Sequence, residues 1–343
     1  MVGGNPLSMG RGIAVDLGTA NTRIYIKGQG LVLNEPSMVA VDSRSGIVVA
    51  VGHEAKRMRG RTPKNIRLVR PIKDGVIADF DLCEQMFKQF LQRVLTSRWS
   101  KPSVVIVVPS EVTGVESRAF KDAAEFAGAR RPVGTIEETM AAAIGLGLPI
   151  HEPSANLVIS IGGGTTEVAV ISLGGLVTEN SVRIGGDEFN NIIVSGFKRI
   201  FKLDIGENTA EEVKIHLGSA WPLAQEIVGD VGGRDIGTGL PRTQEVTTNQ
   251  IREILDEGIQ KIIDAIKKTL ERTPPELASD VISNGMHIVG GGALLAGLEE
   301  RITHETGIQT FIATEPLLTV ILGAGLSLDN LGIISGLNPQ GDD

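Results

Sequence analysis

The residues best suited to chemistry sit in two short turns. In Ile13-Ala-Val-Asp-Leu-Gly-Thr-Ala-Asn-Thr22, the small residues Gly18, Thr19, Ala20 and Asn21 follow an acid, Asp16. In Leu157-Val-Ile-Ser-Ile-Gly-Gly-Gly-Thr-Thr166, the turn is Gly162, Gly163, Gly164 and Thr165. Small residues let successive backbone amides close on an anion, forming a nest that suits phosphate. Asp16 beside such a nest is a candidate to hold Mg²⁺ through water, because magnesium keeps much of its hydration shell. Laid on each other, Leu17 meets Ile161, Gly18 meets Gly162 and Thr22 meets Thr166. Each run continues into a second apolar stretch, Ile24-Tyr-Ile26 and Val168-Ala-Val-Ile171. An ordinary glycine hairpin would account for either turn alone. Repetition in register favours a duplicated phosphate hairpin, hence two similar halves closing on one nucleotide. The overlay has one mismatch of consequence: Asp16 falls opposite Ser160, where a second carboxylate is expected.

Gly290, Gly291 and Gly292 form a third close-approach site, favoured as a floor under a base or ribose over plain strand–helix packing. Glu137 and Glu138 open a helix; they either complement its dipole or one of them orients an attacking water. Trp99, between Arg98 and Lys101, either touches a membrane interface or folds back on its own core. The stretch His53–Arg70 is basic (Lys56, Arg57, Arg59, Arg61, Lys64, Arg67, Arg70) and is read as a solvated surface or as a dock for an acidic neighbour.

These groups need elements to position them. The hairpin Ile13–Ile26 is followed by strands over Leu31–Val41 and Ile47–Val51. A helix is expected over Asp81–Thr96, a buried strand over Val104–Val108, and a helix over Gly114–Gly128 with Val115, Ala119, Ala123 and Phe126 on one face. A strand at Val133–Ile136 leads into a helix over Glu137–Gly147. After the second hairpin come a strand at Leu176–Ile184, helices over Glu188–Phe201 and Thr209–Leu217, and a glycine-rich turn region at Gly229–Arg242. The longest helix, Thr248–Arg272, carries a continuous apolar stripe from Ile251 to Leu270 and is stopped by Pro274-Pro275. A strand–turn–helix spans His287–Glu300. The boundary between halves is placed at 150/151, giving domains 12–150 and 151–337. Residues 1–11 are expected to be disordered, and 338–343 to be a loose acidic tail.

The chain has 343 residues, enough for roughly two domains with separate cores. Apolar content of 41% with 3% aromatics suits an α/β fold packed by aliphatic residues. A net charge of −8 argues against non-specific nucleic-acid binding. No apolar run reaches the roughly 18 residues of a membrane span, and the N-terminus lacks the pattern of a signal peptide. The single cysteine, Cys83, is expected to be a small core residue in a reducing cytosol. The five histidines are scattered without metal-ligand spacing.

Asp16-Leu-Gly-Thr-Ala-Asn-Thr22, Asn34-Glu-Pro-Ser37, Pro71–Phe80, Glu138 with Met140–Gly145, Gly162–Gly175, Gly185-Gly-Asp-Glu188 and Gly290–Leu295 together resemble an MreB/Mbl-type bacterial actin, of the actin–Hsp70–sugar-kinase superfamily. The resemblance covers about residues 11–330. It implies an actin-like ATPase fold: two duplicated RNase H-like domains, four subdomains in all, around a nucleotide cleft. It implies ATP and Mg²⁺ as cofactors. Asp16, Gly18, Thr19, Ala20 and Asn21 would form the first phosphate loop, and Gly162, Gly163, Gly164 and Thr165 the second. Glu211 and Lys214 would bracket the adenosine, with Gly290, Gly291 and Gly292 lining the same pocket. Glu138 would orient the hydrolytic water, and the Trp99 loop would meet the membrane. The implied partners are further copies of the chain in paired antiparallel protofilaments, the inner face of the cell membrane and the cell-wall elongation proteins, with no nucleic acid.

Three departures qualify this pattern. Ser160 stands for the usual aspartate, so hydrolysis is expected to fall roughly 10²–10³-fold while binding survives. Whether Glu167 replaces the lost acid depends on its strand face. Thr139 stands for a proline, with smaller expected effect. The N-terminus lacks an amphipathic anchor helix, leaving attachment to Trp99 and the avidity of a polymer. Alternatives are a small-molecule kinase of the superfamily, a chaperone ATPase, for which a peptide-binding domain is missing, and a near-inactive ATPase scaffold.

Overall fold

The computed structural model describes residues 12–95 and 101–329. The Trp99 loop, the segment 1–11 and the tail 338–343 lie outside the described residues.

Two five-stranded sheets repeat one topology. In the first, the strand order is Arg130–Glu137, Ser103–Val108, Gly12–Leu17, Asn21–Ile26, Gly30–Pro36. In the second it is Thr310–Ile312, Met286–Val289, Asn156–Ile161, Thr166–Ser172, Gly175–Val182. Each begins with an antiparallel three-stranded meander and adds two parallel strands reached by crossovers. The hairpin registers coincide as well: Leu17 faces Thr22, and Ile161 faces Thr166. The sequence repeat is therefore a structural repeat.

Helices cover the sheets where amphipathic stripes allow it. Phe80–Val94 starts at Asp79, whose carboxylate accepts from the Leu82 N–H, and buries Met86, Phe87 and Phe90. Thr248–Arg272 opens with a reciprocal capping box between Thr247 and Gln250 and buries Ile251, Leu255, Ile259, Ile262 and Ile266. Its bounds agree with the expectation.

Several expectations need correction. Leu31–Val41 is two strands, because the chain turns at Ser37 and Met38 and passes from the main sheet into a small one formed by Val39–Asp42, Val48–Val51 and Ile66–Val69. On the helix Gly114–Ala127 the buried residues are Phe120, Ala123, Ala124 and Ala127, while Val115 and Phe126 are 82% and 60% exposed. Two apolar stripes compete on this helix, and the alanine-rich one lies closer to the strands. Gly229–Arg242 lies largely within a β-hairpin, Val228–Asp235 with Pro241–Thr247, rather than in turns alone.

The halves have separate cores and share a third. The helix Thr319–Ser327, which the sequence reading missed, crosses back to pack on Glu138–Gly145. A Cβ on Gly323 would lie 1.8 Å from the Ala141 carbonyl oxygen, so the crossing requires glycine there. Val320, Ile321 and Ala324 join Ala141, Ala142, Val105, Val158 and Val289 in that shared core. This contact fixes the helix that carries Glu138.

Candidate functional site

Each glycine turn closes by the same bond. The Gly18 N–H donates to the Asn21 carbonyl (3.1 Å), and the Gly162 N–H donates to the Thr165 carbonyl (2.8 Å). The turns meet face to face. A Cβ on Gly163 would lie 2.7 Å from Ala20 Cβ, and one on Gly164 would lie 2.8 Å from Thr19 Oγ1. Glycine is thus required at the second turn by the approach of the first. Gly290 sits at φ +86°, where a Cβ would also strike the Ile161 carbonyl oxygen at 2.4 Å.

Around these turns opens a cavity of about 480 Å³. The structure brings to its wall Asp16, Gly18, Thr19, Ala20, Asn21, Glu138, Gly162, Gly163, Gly164, Thr165, Glu211, Lys214, Gly290, Gly291 and Gly292. Ser160 is there too. The sequence reading missed the apolar part of the wall. Ile215, Leu294 and Leu317 line the cavity and stay 65%, 58% and 45% exposed. A flat apolar ligand such as a nucleobase fits those side chains. The nearness of Ile215 to Lys214 and of Leu294 to Gly292 in the sequence was the available signal; Leu317 comes near Gly291 only through the fold.

The acids have distinct settings. Asp16 pairs with Arg23, its cross-strand neighbour, at 2.9 Å. Burial nevertheless raises the Asp16 pKa, with Arg23 opposing. The Ser160 hydroxyl donates to Glu138 Oε1 at 2.5 Å. Burial, and then the charge of Asp16, push Glu138 up to about 7, against the pull of the Ser160 bond. Of the two acids at that helix start, Glu138 lines the cavity and Glu137 takes the N-cap position.

Glu167 answers the open question about its strand face. It is the cross-strand partner of Ser160 and is buried. It is absent from the cavity wall; its Oε2 accepts from the Ser110 N–H (3.1 Å) and hydroxyl (2.9 Å). Ser110 also bonds Thr139 Oγ1 at 2.9 Å, a contact that proline at 139 could not make, so Thr139 has a role the sequence did not suggest. Burial, and then the neighbouring Glu138, push the Glu167 carboxyl well above the usual carboxylate range, against the pull of the Ser110 bonds.

A duplicated α/β fold with paired phosphate-type turns facing across a cleft defines the actin-like class. The family model of the MreB/Mbl protein matches residues 10–335. The chain is 48% identical over 322 residues to the cell shape-determining protein Mbl of Bacillus subtilis, covering 94% of this chain and 96% of that one. It is 48% identical over 330 residues to the cell shape-determining protein MreB of Escherichia coli, covering 94% and 95%. MreB5 of Spiroplasma citri, solved with AMPPNP, superposes with a TM-score of 0.89 at 37% identity over 94% of this chain and 96% of its own. The MamK double helical filament shares the fold, with a TM-score of 0.80 at 20% identity over 93% and 99%. The chain belongs to the MreB/Mbl family, and the small-molecule kinase left open by the sequence is set aside.

Proposed function

We propose that this chain is a nucleotide-dependent cytoskeletal protein. It binds ATP between the two glycine turns, polymerises with copies of itself and acts in cell shape at the inner face of the cytoplasmic membrane, where it positions cell-wall elongation proteins. The observation that carries the reading is the pair of duplicated turns facing each other, with Glu138 on the wall of the same cavity. Relatives support it: Spiroplasma citri MreB5 was solved with AMPPNP and with ADP, and MamK as a double helical filament. Among the described residues no helix is long and apolar enough to cross a membrane, so attachment is assigned to the surface.

In this reading the backbone amides of Gly18–Asn21 and Gly162–Thr165 receive the phosphates. Glu211 and Lys214 flank the adenosine, whose base rests against Ile215, Leu294 and Leu317. Glu138, held by the Ser160 hydroxyl, orients the attacking water; as a carboxylate it can accept a proton from that water. Mg²⁺ fits the donor set, because Asp16 keeps an oxygen that no described side chain bonds and its burial favours a compensating cation. Asp16 would hold the ion through water, and the ion would neutralise phosphate charge.

A slow ATPase is favoured within this reading. The second turn brings a hydroxyl where a carboxylate is usual, and its cross-strand acid, Glu167, lies off the cavity wall and is turned to Ser110. Sedimentation of the purified chain with and without Mg-ATP, and with and without anionic vesicles, tests the whole. ATP should promote pelleting, and vesicles should co-pellet. A chain that binds no nucleotide and stays soluble under every condition rejects the proposal.

A further inference from the structure

The basic stretch found in the sequence faces acids on the opposite side of the cleft. Lys56 Nζ lies 3.2 Å from Glu211 Oε1. Arg59 Nη1 lies 3.0 Å from Glu207 Oε1 and 3.7 Å from Glu211 Oε2. Arg70 pairs with Asp187 and, at 2.5 Å, with Glu207. The cations come from the first half and the acids from the second.

Those acids belong to the cavity wall or are tied to it. Glu211 and Asp187 line the cavity. The Asp187 N–H donates to the Gly163 carbonyl (2.8 Å), which connects Arg70 to the second phosphate turn. Lys214 Nζ donates to the Gly186 carbonyl (2.7 Å), joining the helix of Glu211 to the same turn region. One set of contacts thus reaches from the first half to the adenosine end and to the phosphate end of the site.

The pairs are not loose surface contacts. The Arg59 side chain is only 12% exposed. Burial works against the charge of Glu211, yet Lys56, Arg59 and Lys214 outweigh it and hold its pKa below the usual range. An isolated exposed pair contributes little, but partly buried, shared pairs reinforce one another.

We infer that Lys56, Arg59 and Arg70 are positioning residues for the nucleotide: by pairing across the cleft they hold Glu211 and Asp187 in place and slow nucleotide escape. The inference rests on the nucleotide reading above. Two measurements separate them. One is the dissociation rate of mant-ATP. The other is the distance between spin labels at Arg57→Cys and His216→Cys, exposed positions on either side of the cleft. Cys83 is buried, with its thiol pushed up to about 12 by burial, and will not take label.

In the Arg59→Gln/Arg70→Gln variant, mant-ATP should leave about tenfold faster, and the label distance should lengthen and broaden. Arg70→Lys should largely restore both. Lys56→Gln, at a half-exposed side chain, should shift both in the same direction by less. Unchanged release in the glutamine variants overturns the inference, whatever the distance does. If the parent chain binds no mant-ATP but the distance still lengthens, the pairs do hold the cleft and the nucleotide reading is what fails.

Discussion

Replacing Ser160 with aspartate should make the protein less stable alone and faster with Mg-ATP. In the first half, the acid at the turn, Asp16, has a cation opposite it, Arg23, at 2.9 Å. In the second half, the residue opposite position 160 is another acid, Glu167, and the Ser160 hydroxyl touches a third, Glu138, at 2.5 Å. An aspartate there would place its carboxylate about 4 Å or less from that of Glu138, a repulsion of about 4 kcal/mol at an effective dielectric of 20. Proton uptake by one of the pair relieves part of it, leaving a destabilisation of about 2–4 kcal/mol near pH 7.5. The hydrogen bond from Ser160 is lost as well. With Mg-ATP bound, cationic charge enters the cluster, and the carboxylate gains a role the hydroxyl lacks. Phosphate release should rise roughly 10²–10³-fold. The assay is phosphate release beside denaturant unfolding, each with and without Mg-ATP, on parent and Ser160→Asp. A variant as stable as the parent without nucleotide would refute the charge argument. A variant no faster than the parent would show that Ser160 is not what limits turnover.

Glu138→Gln should abolish phosphate release yet stabilise the protein at alkaline pH. The Glu138 carboxyl rises from 4.5 to about 7, so between those values the folded state alone keeps the proton and stability falls as pH rises, by roughly 3 kcal/mol in all. Unfolding midpoints should therefore differ between parent and variant at pH 8 and converge near pH 4.5. Gly164→Ala would set a Cβ 2.8 Å from Thr19 Oγ1 and 2.9 Å from Asp74 Cα. Forcing the turns apart should cut turnover about 10²-fold with a small change in melting temperature, measured by phosphate release and calorimetry. Polymer assembly should depend less on nucleotide in the parent than in Ser160→Asp. Critical concentrations with and without Mg-ATP should lie closer together in the parent, and equal gaps in the two proteins would count against it.

The parts of this fold that were legible in the sequence are those with a local cause. The hairpins were readable because glycine turns separate β-branched runs. Thr248–Arg272 was readable because one apolar stripe, a capping residue and a proline stop agree. Thr319–Ser327 was missed because it is apolar nearly all round and contains two glycines, so it has neither a periodic face nor high helix propensity. Gly323 answers to the helix crossing at Ala141, and Gly325 to the Tyr25 ring, which a Cβ there would meet at 2.6 Å. The wrong face on Gly114–Ala127 has a similar origin: spacing identifies stripes, and only packing chooses between them. At the site, the glycine turns were visible. The partners of Lys56, Arg59 and Arg70 were not, because they lie far along the chain and depend on how the halves close.

The duplicated hairpins carry opposite electrostatic designs. One pairs Asp16 with Arg23; the other pairs Ser160 with Glu167. A carboxylate at position 160 would raise the cost of bringing the second turn beside Glu138 until a cation arrived, which would make closure of the cleft strongly dependent on the loaded nucleotide. Serine removes that cost and supplies a donor in its place. The ion pairs from Lys56, Arg59 and Arg70 act in the same direction, since they favour closure by contacts that need no nucleotide. A ligand shifts a conformational equilibrium only by its difference in affinity for the two states. A chain that closes at little electrostatic cost leaves less for ATP binding or cleavage to change. On the proposed nucleotide reading, slow hydrolysis and a long-lived polymer are the expected joint outcome of Ser160 and of these ion pairs.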